Sequence, residues 1–301
     1  MESEALEKLK KAGAAVAEAK RYAQAHVRAG VRALEVADAI EDLIRKQGAE
    51  PAFPVNISWN HIAAHDLPDH EDVRTFKDGD VVKVDVGAHV DGWMADSAIT
   101  VIVGKNETGE KLLMTAQKAL AAAVALMVPG NTIAQVSTAI EKTIRVDGFN
   151  PIVNLTGHRV EQYEVHASPS IPNVAVASAY VFEEGDVFAV EPFVTTGVGM
   201  VKETAGTQVY QWLSDRHTRY PESTTILKLA RDNYKKLPFA RRWVVRDAKI
   251  SPAKLALVLK GLVEIGSLHE YPPLREVSDA PVAQAEHTVV VQKDGPLMIT
   301  G

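Results

Sequence analysis

Two aspartates set into β-branched sequence are the first residues in this chain with chemistry to offer. Asp85 and Asp96 lie in VVKVDVGAHVDGWMADSAITVIV, from Val81 to Val103, where runs of Val, Ile and Thr around an Asp-Gly pair predict a β-hairpin. Burying one carboxylate in such a sheet is costly, and burying two side by side requires a proton or a cation to neutralise them. A metal site is therefore the chemistry this stretch suggests. Side chains alternate faces along a strand, so we expect the two acids to share a face if the hairpin is centred between Val90 and Asp91. This predicts a loop over about residues 89–92, or a bulge that re-aims one carboxylate. A tight turn at Asp91 and Gly92 is expected to send them to opposite faces.

The elements that must carry these acids are duplicated. Gly30, Val36, Ala39, Ile40, Glu41, Ile44, Arg45, Gly48 and Pro51 recur one hundred residues later as Gly130, Val136, Ala139, Ile140, Glu141, Ile144, Arg145, Gly148 and Pro151. Phe76, Gly79, Asp80, Val81, Val84 and Asp85 recur as Phe182, Gly185, Asp186, Val187, Val190 and Glu191 at an offset of 106. The order is the same, which predicts two related α+β halves, each a helical layer followed by a sheet. Glu191 then stands where Asp85 stands, and Ala285-Glu286 is matched to Ala95-Asp96. Four carboxylates at a pseudo-two-fold centre carry a charge that two divalent cations balance, and a nearby imidazole completes an oxygen-rich dinuclear site. His158 and His166 are candidates for it. They lie eight residues apart, and one extended segment points both the same way.

Helical spacing predicts helices over Ser3 to His26 and about Ala33 to Gln47, the second closed by Gly48. Asp85 and Asp96 are 11 residues apart but Glu191 and Glu286 are 95 apart, so the second half accommodates a helical insertion at about Pro221 to Gly266, with N-caps at Ser223 and Ser251. We divide the chain into one catalytic domain, 1–301, with halves of about 1–115 and 116–301 and an insertion subdomain of about 215–275. HIAAH, from His61 to His65, has zinc-pair spacing but lacks the glutamate of HExxH. Lys235-Lys236 and Arg241-Arg242 read as a solvated face, and Gly197 to Gly206 lacks phosphate-loop spacing.

Composition narrows the classes. The 301 residues contain no cysteine, which excludes disulfides, iron-sulfur clusters and thiolate zinc sites. A net charge of -6 gives no support to DNA binding. The longest apolar run, Ala119 to Pro129, is short of the roughly 18 residues of a membrane span. The charged start MESEALEKLKKAG is unlike a secretory signal. We expect a cytoplasmic protein that is a monomer.

These residues match a known pattern. With FPVNIS, AAH, VDVGAHVDGWMADSA, NLTGHRVEQYEVH, IPN, VEPF and AEHT in order over nearly the whole chain, and ARRW and EYPPL in the insertion, the sequence resembles the type 2 methionine aminopeptidases of the compact archaeal kind. The resemblance implies an α+β pita-bread fold with pseudo-two-fold symmetry and removal of the initiator methionine from nascent polypeptides whose second residue is small. It implies two divalent cations (Co, Mn, Fe or Zn) on Asp85, Asp96, His158, Glu191 and Glu286, with Asp85 on one, His158 and Glu191 on the other, and Asp96 and Glu286 bridging. His65 and His166 correspond to non-ligand active-site histidines, Glu191 to a proton shuttle, and Phe53, Val165, Tyr271 and Leu274 to positions lining a methionine pocket. The expected partners are peptide N-termini and, transiently, the ribosome. The alternatives are a relative that cleaves before proline, expected to need an N-terminal domain, and a binding protein that has lost its ligands.

Overall fold

The computed structural model describes residues 2–301. Helix α1, Ser3–His26, places Ala5, Leu9, Ala12, Val16, Ala19 and Ala23 on one buried face at helical spacing. The small alanines let it lie close against the long hairpin strands Val81–Val90 and Trp93–Ile102. Helix α2, Ala33–Lys46, buries Val36, Ala37, Ile40 and Ile44 against the same layer. Each large aliphatic side chain so buried contributes about 1.5–3 kcal/mol. In the second half α3, Glu107–Val124, and α4, Ile133–Val146, form the equivalent layer over their own apolar cluster. Asn106 caps α3, and Thr132 with Gln135 forms a capping box on α4.

The duplication extends to individual hydrogen bonds. Gly30 N donates to Phe76 O as Gly130 N does to Phe182 O, Gly79 N to Val103 O as Gly185 N to Val291 O, and Ala52 N to Gly87 O as Ile152 N to Phe193 O. The fold is thus the pseudo-symmetric α+β arrangement. Helices α5 (Glu222–Leu229), α6 (Arg241–Ala248) and α7 (Pro252–Glu264) lie between the two acidic stretches of the second half and enclose a separate apolar cluster. Ser251 is the N-cap of α7, whereas α5 is preceded by Pro221 and not by Ser223.

The hairpin corrects the expected loop. Its strands run to Val90 and from Trp93, and the turn is only Asp91 and Gly92, with φ of 51° and 83°. Positive φ at both positions is the twist-matched turn for which Asp-Gly is suited. This tight turn still leaves Asp85 and Asp96 on one face. Asp96 lies opposite Gly87, and Asp85 lies two residues from Gly87. Residues directly opposite share a face, and so do residues two apart. The acids are therefore diagonal neighbours, and neither a longer loop nor a bulge is needed.

Register also revises one match within the repeat. Phe193 pairs with Gln284 and Val190 with His287, so the same alignment sets Glu191 opposite Glu286. Glu286 thus occupies the place of Ala98 in the first half, and the counterpart of Asp96 is Gln284. A two-residue offset preserves the face, which is why Glu286 still reaches the centre.

Candidate metal centre and adjoining cavity

The sheets of the two halves meet along Trp93–Ile102 and the segment from Val282 to Val290, where hydroxyl groups act as cross-links. Thr288 Oγ1 accepts from Asp96 N and donates to Asp96 O, both at 2.7 Å. Thr100 Oγ1 accepts from Gln284 N at 2.9 Å and donates to Gln284 O at 2.7 Å. Ser97 donates to Glu286 O, and Glu286 N donates to Ala98 O at 3.1 Å. The backbones that present Asp96 and Glu286 are thereby fixed to each other across the pseudo-symmetry axis.

All five expected ligands, Asp85, Asp96, His158, Glu191 and Glu286, line one cavity of about 310 Å³. His158 Nε2 lies 3.6 Å from Asp96 Oδ2 and 3.7 Å from Glu191 Oε1. Donor atoms of Asp96, His158 and Glu286 fall within 4.8 Å of one another. The second half also supplies an amide, since Gln284 Nε2 donates to Glu191 Oε2 and Glu286 Oε2, both at 3.3 Å. Burial lifts the Asp85 carboxyl to about 7. Burial first, and then repulsion from neighbouring acids, lifts Asp96, Glu191 and Glu286 well above the usual carboxylate range. Asp85 Oδ1 and Asp96 Oδ1 are buried without a hydrogen-bond partner. An acid cluster with free lone pairs and one imidazole suits hard or borderline divalent cations.

The histidines converge by a different route from the one expected. His158 lies on the strand Thr156–Glu161 and His166 on Glu164–Pro172, so the segment folds back as a bulged hairpin rather than running straight. Their rings meet at 4.6 Å between centroids. His158 Nδ1 sits 3.3 Å from Arg159 O, so that a neutral ring donating there leaves Nε2 free toward the acids. Burial lowers its pKa to about 3. His65 also lines the cavity, with its Nδ1 3.3 Å from Pro272 O, and burial followed by the His166 charge lowers it to about 4. Burial lowers His166 as well. Both flank the Tyr271 ring, at 5.6 and 6.0 Å. His61 and His65 bracket the short strand Ile62–Ala64, so HIAAH is not helical.

Phe53, Val165 and Tyr271 also line the cavity. Leu274 does not: its strand pairs with Ile62–Ala64, and its side chain packs on the cluster of Ile152, Phe193 and Val201. Gln284, Asn56, Val209 and Pro238 line the cavity or touch its acids and were not expected. Gln284 was detectable, because it sits two residues before Glu286 and so shares its face. Asn56 needed the strand register that sets it opposite Asp85.

Comparison with known proteins agrees with this arrangement. Residues 7–293 match metallopeptidase family M24. The chain is 44% identical to the methionine aminopeptidase of Thermococcus kodakarensis over 98% of this chain and 99% of that one. It is 45% identical to that of Archaeoglobus fulgidus over the full length of both. Among solved structures it superposes on the methionine aminopeptidase of Thermotoga maritima with a TM-score of 0.74 at 26% identity, covering 100% of this chain and 98% of the other.

Proposed function

The chain belongs to metallopeptidase family M24, among its methionine aminopeptidases, and from that membership we propose that it removes the initiator methionine from peptides and nascent polypeptides whose second residue is small. Five potential ligands lining one cavity beside an apolar wall carry the reading. Asp85, Asp96, His158, Glu191 and Glu286 would hold two divalent cations drawn from Co, Mn, Fe or Zn. Such a pair supplies Lewis acidity and acidifies water toward neutral pH.

The chain's own groups do the rest. Glu191, a carboxylate in the cavity wall beside His158, takes a proton from the attacking water and returns it to the departing amine. His166, kept neutral by burial, donates an N–H to the oxygen on which charge develops. His65, with Nδ1 turned to Pro272 O, offers Nε2 to an amide N–H beside the scissile bond. Phe53, Val165 and Tyr271 receive the methionine side chain, and the Tyr271 ring is held by its hydroxyl donating to Gln211 Oε1 at 2.8 Å. No helix among the described residues is long and apolar enough to cross a membrane.

Release of free methionine from a Met-Ala-Ser peptide tests the proposal. It should cease with a chelator and return with added Mn²⁺ or Co²⁺. Release indifferent to chelation, or cleavage only before proline, would overturn it.

A further inference from the structure

Glu41 is a charged residue on an otherwise apolar helix face, and it is 1% exposed. Its Oε1 accepts from Val55 N at 3.3 Å and from the Arg242 guanidinium, and its Oε2 accepts from Trp243 Nε1 at 2.7 Å. Arg242 is itself buried, which corrects the solvated face expected for Arg241-Arg242, and it also donates to Pro68 O at 3.3 Å. These partners do not line the site cavity themselves but adjoin two groups of residues that do. Val55 lies two residues beyond Phe53, whose ring packs on Gly87 so closely that a Cβ there would sit 2.2 Å from it. Arg242 and Trp243 open α6, directly after Pro238 and the strand Phe239–Ala240. That strand pairs with Val209, which pairs in turn with Tyr271. Phe53 is thus tied to one end of Glu41, and Val209, Pro238 and Tyr271 to the other.

The duplicated sequence supplies an internal comparison. Glu141, the same residue in the second half, accepts from Ala175 N at 2.8 Å and from exposed Arg145 at 2.7 Å. Accepting from the backbone N–H of a following loop is common to both halves. The buried arginine and tryptophan are found only where α6 meets α2. A buried ion pair contributes little net stability compared with apolar packing of the same volume, so stability alone does not account for this one.

We propose that Glu41 is a positioning residue that sets the width of the apolar compartment between Phe53 and the Val209, Pro238 and Tyr271 wall, and thereby the choice of the N-terminal side chain. This rests on the peptidase reading for the identity of that side chain. Glu41→Gln keeps an acceptor for Val55 N but loses its charge on Arg242. With Met-Ala-Ser its KM should rise about tenfold while kcat stays within about twofold, because a looser compartment weakens ground-state and transition-state binding alike. Discrimination of methionine over leucine at the first position should fall about tenfold, the scale set by side-chain fit in an apolar pocket. Metal content should be unchanged. Trp243→Phe, which removes one N–H from Oε2, should shift both quantities in the same direction by less, and it decides the question if the first variant does not fold. Glu141→Gln should shift neither. Calorimetric affinities for free methionine and free leucine read the compartment without turnover, so a wild-type chain that released no methionine would refute the peptidase reading and leave this test standing. Folded Glu41→Gln or Trp243→Phe protein with wild-type KM and wild-type affinity ratio, or with kcat lowered at constant KM, would overturn the proposal.

Discussion

Replacing the His166 imidazole with a methyl group separates binding of the metals from stabilisation of charge, because that ring packs on His158 without being in the acid cluster. His166→Ala should lower kcat about 10²–10³-fold, the usual cost of one donor to a developing oxyanion, with the metal content of the wild type. Loss of both cations in that variant would contradict the role. A second prediction follows from the acids. The Asp85 carboxyl titrates near 7 in the folded chain against an ordinary value of 3.8, so the folded state binds more protons than the unfolded state between those values. These acids therefore contribute stability to the metal-free protein that is lost as pH rises from about 4 to about 7, Asp96, Glu191 and Glu286 shifting in the same direction as Asp85, whereas the lowered His65, His158 and His166 act with the opposite sign as pH falls below about 6.5. From about pH 5.5 to about pH 7.5 the Tm of chelated wild type should fall relative to that of chelated Asp85→Asn, because the histidine contribution is common to the two proteins and cancels. An equal slope in the two proteins would show that these acids are not the source of that loss. Residue types and spacings displayed this cluster in the sequence, but Gln284 and Asn56 became visible only with the register.

The sequence predicted helices more faithfully than hairpins because a helix is written in local spacing. Ser3–His26 follows directly from apolar residues three and four apart. Whether two strand residues share a face depends instead on the parity of the turn, and the Asp91-Gly92 turn keeps Asp85 and Asp96 together where a longer loop was expected. The segment from His158 to His166 reads as one extended run until Gln162 and Tyr163 reverse it, and Tyr163 does so with a φ of 60°. Leu274 was misplaced because Pro272 and Pro273 separate it from the wall that Tyr271 faces. Backbone approach is equally hidden in one dimension. At Gly157 an added Cβ would meet Ala189 O at 2.5 Å and Val190 Cα at 3.2 Å, backbone atoms that cannot move aside cheaply. Gly157→Ala should destabilise the fold by about 1–3 kcal/mol and push the His158 strand away from Val187–Val190, the strand that leads into Glu191. Equilibrium denaturation together with cation titration checks this; unchanged stability would mean that the strands tolerate the wider spacing.

At the scale of the molecule, the duplication places half of a costly site on each lobe. The first half brings Asp85 and Asp96, and the second brings His158, Glu191 and Glu286. Helices α3 and α4 cover a cluster drawn from the second lobe, whereas the cluster under α1 and α2 also takes in Val160, Val165, Val187, Ala189 and Val290 of that lobe, so apolar packing crosses the seam. At the centre they are also joined by the hydroxyl cross-linking of Ser97, Thr100 and Thr288, opposed by repulsion among four acids, of which Glu286 is eased by the charge of Lys20. Cations binding across that seam would stabilise only the state in which the lobes are docked. At a hundred times Kd one such site contributes about 2.7 kcal/mol. For a chain of this size that corresponds to a rise in Tm of roughly 4 °C. The rise should appear as a shift of the whole transition, followed equally by near-ultraviolet and far-ultraviolet dichroism, because the ligands are shared by both halves. Chelation that split the melt into a stable half and a labile half would locate the cations in one lobe, and the shared centre would have to be abandoned.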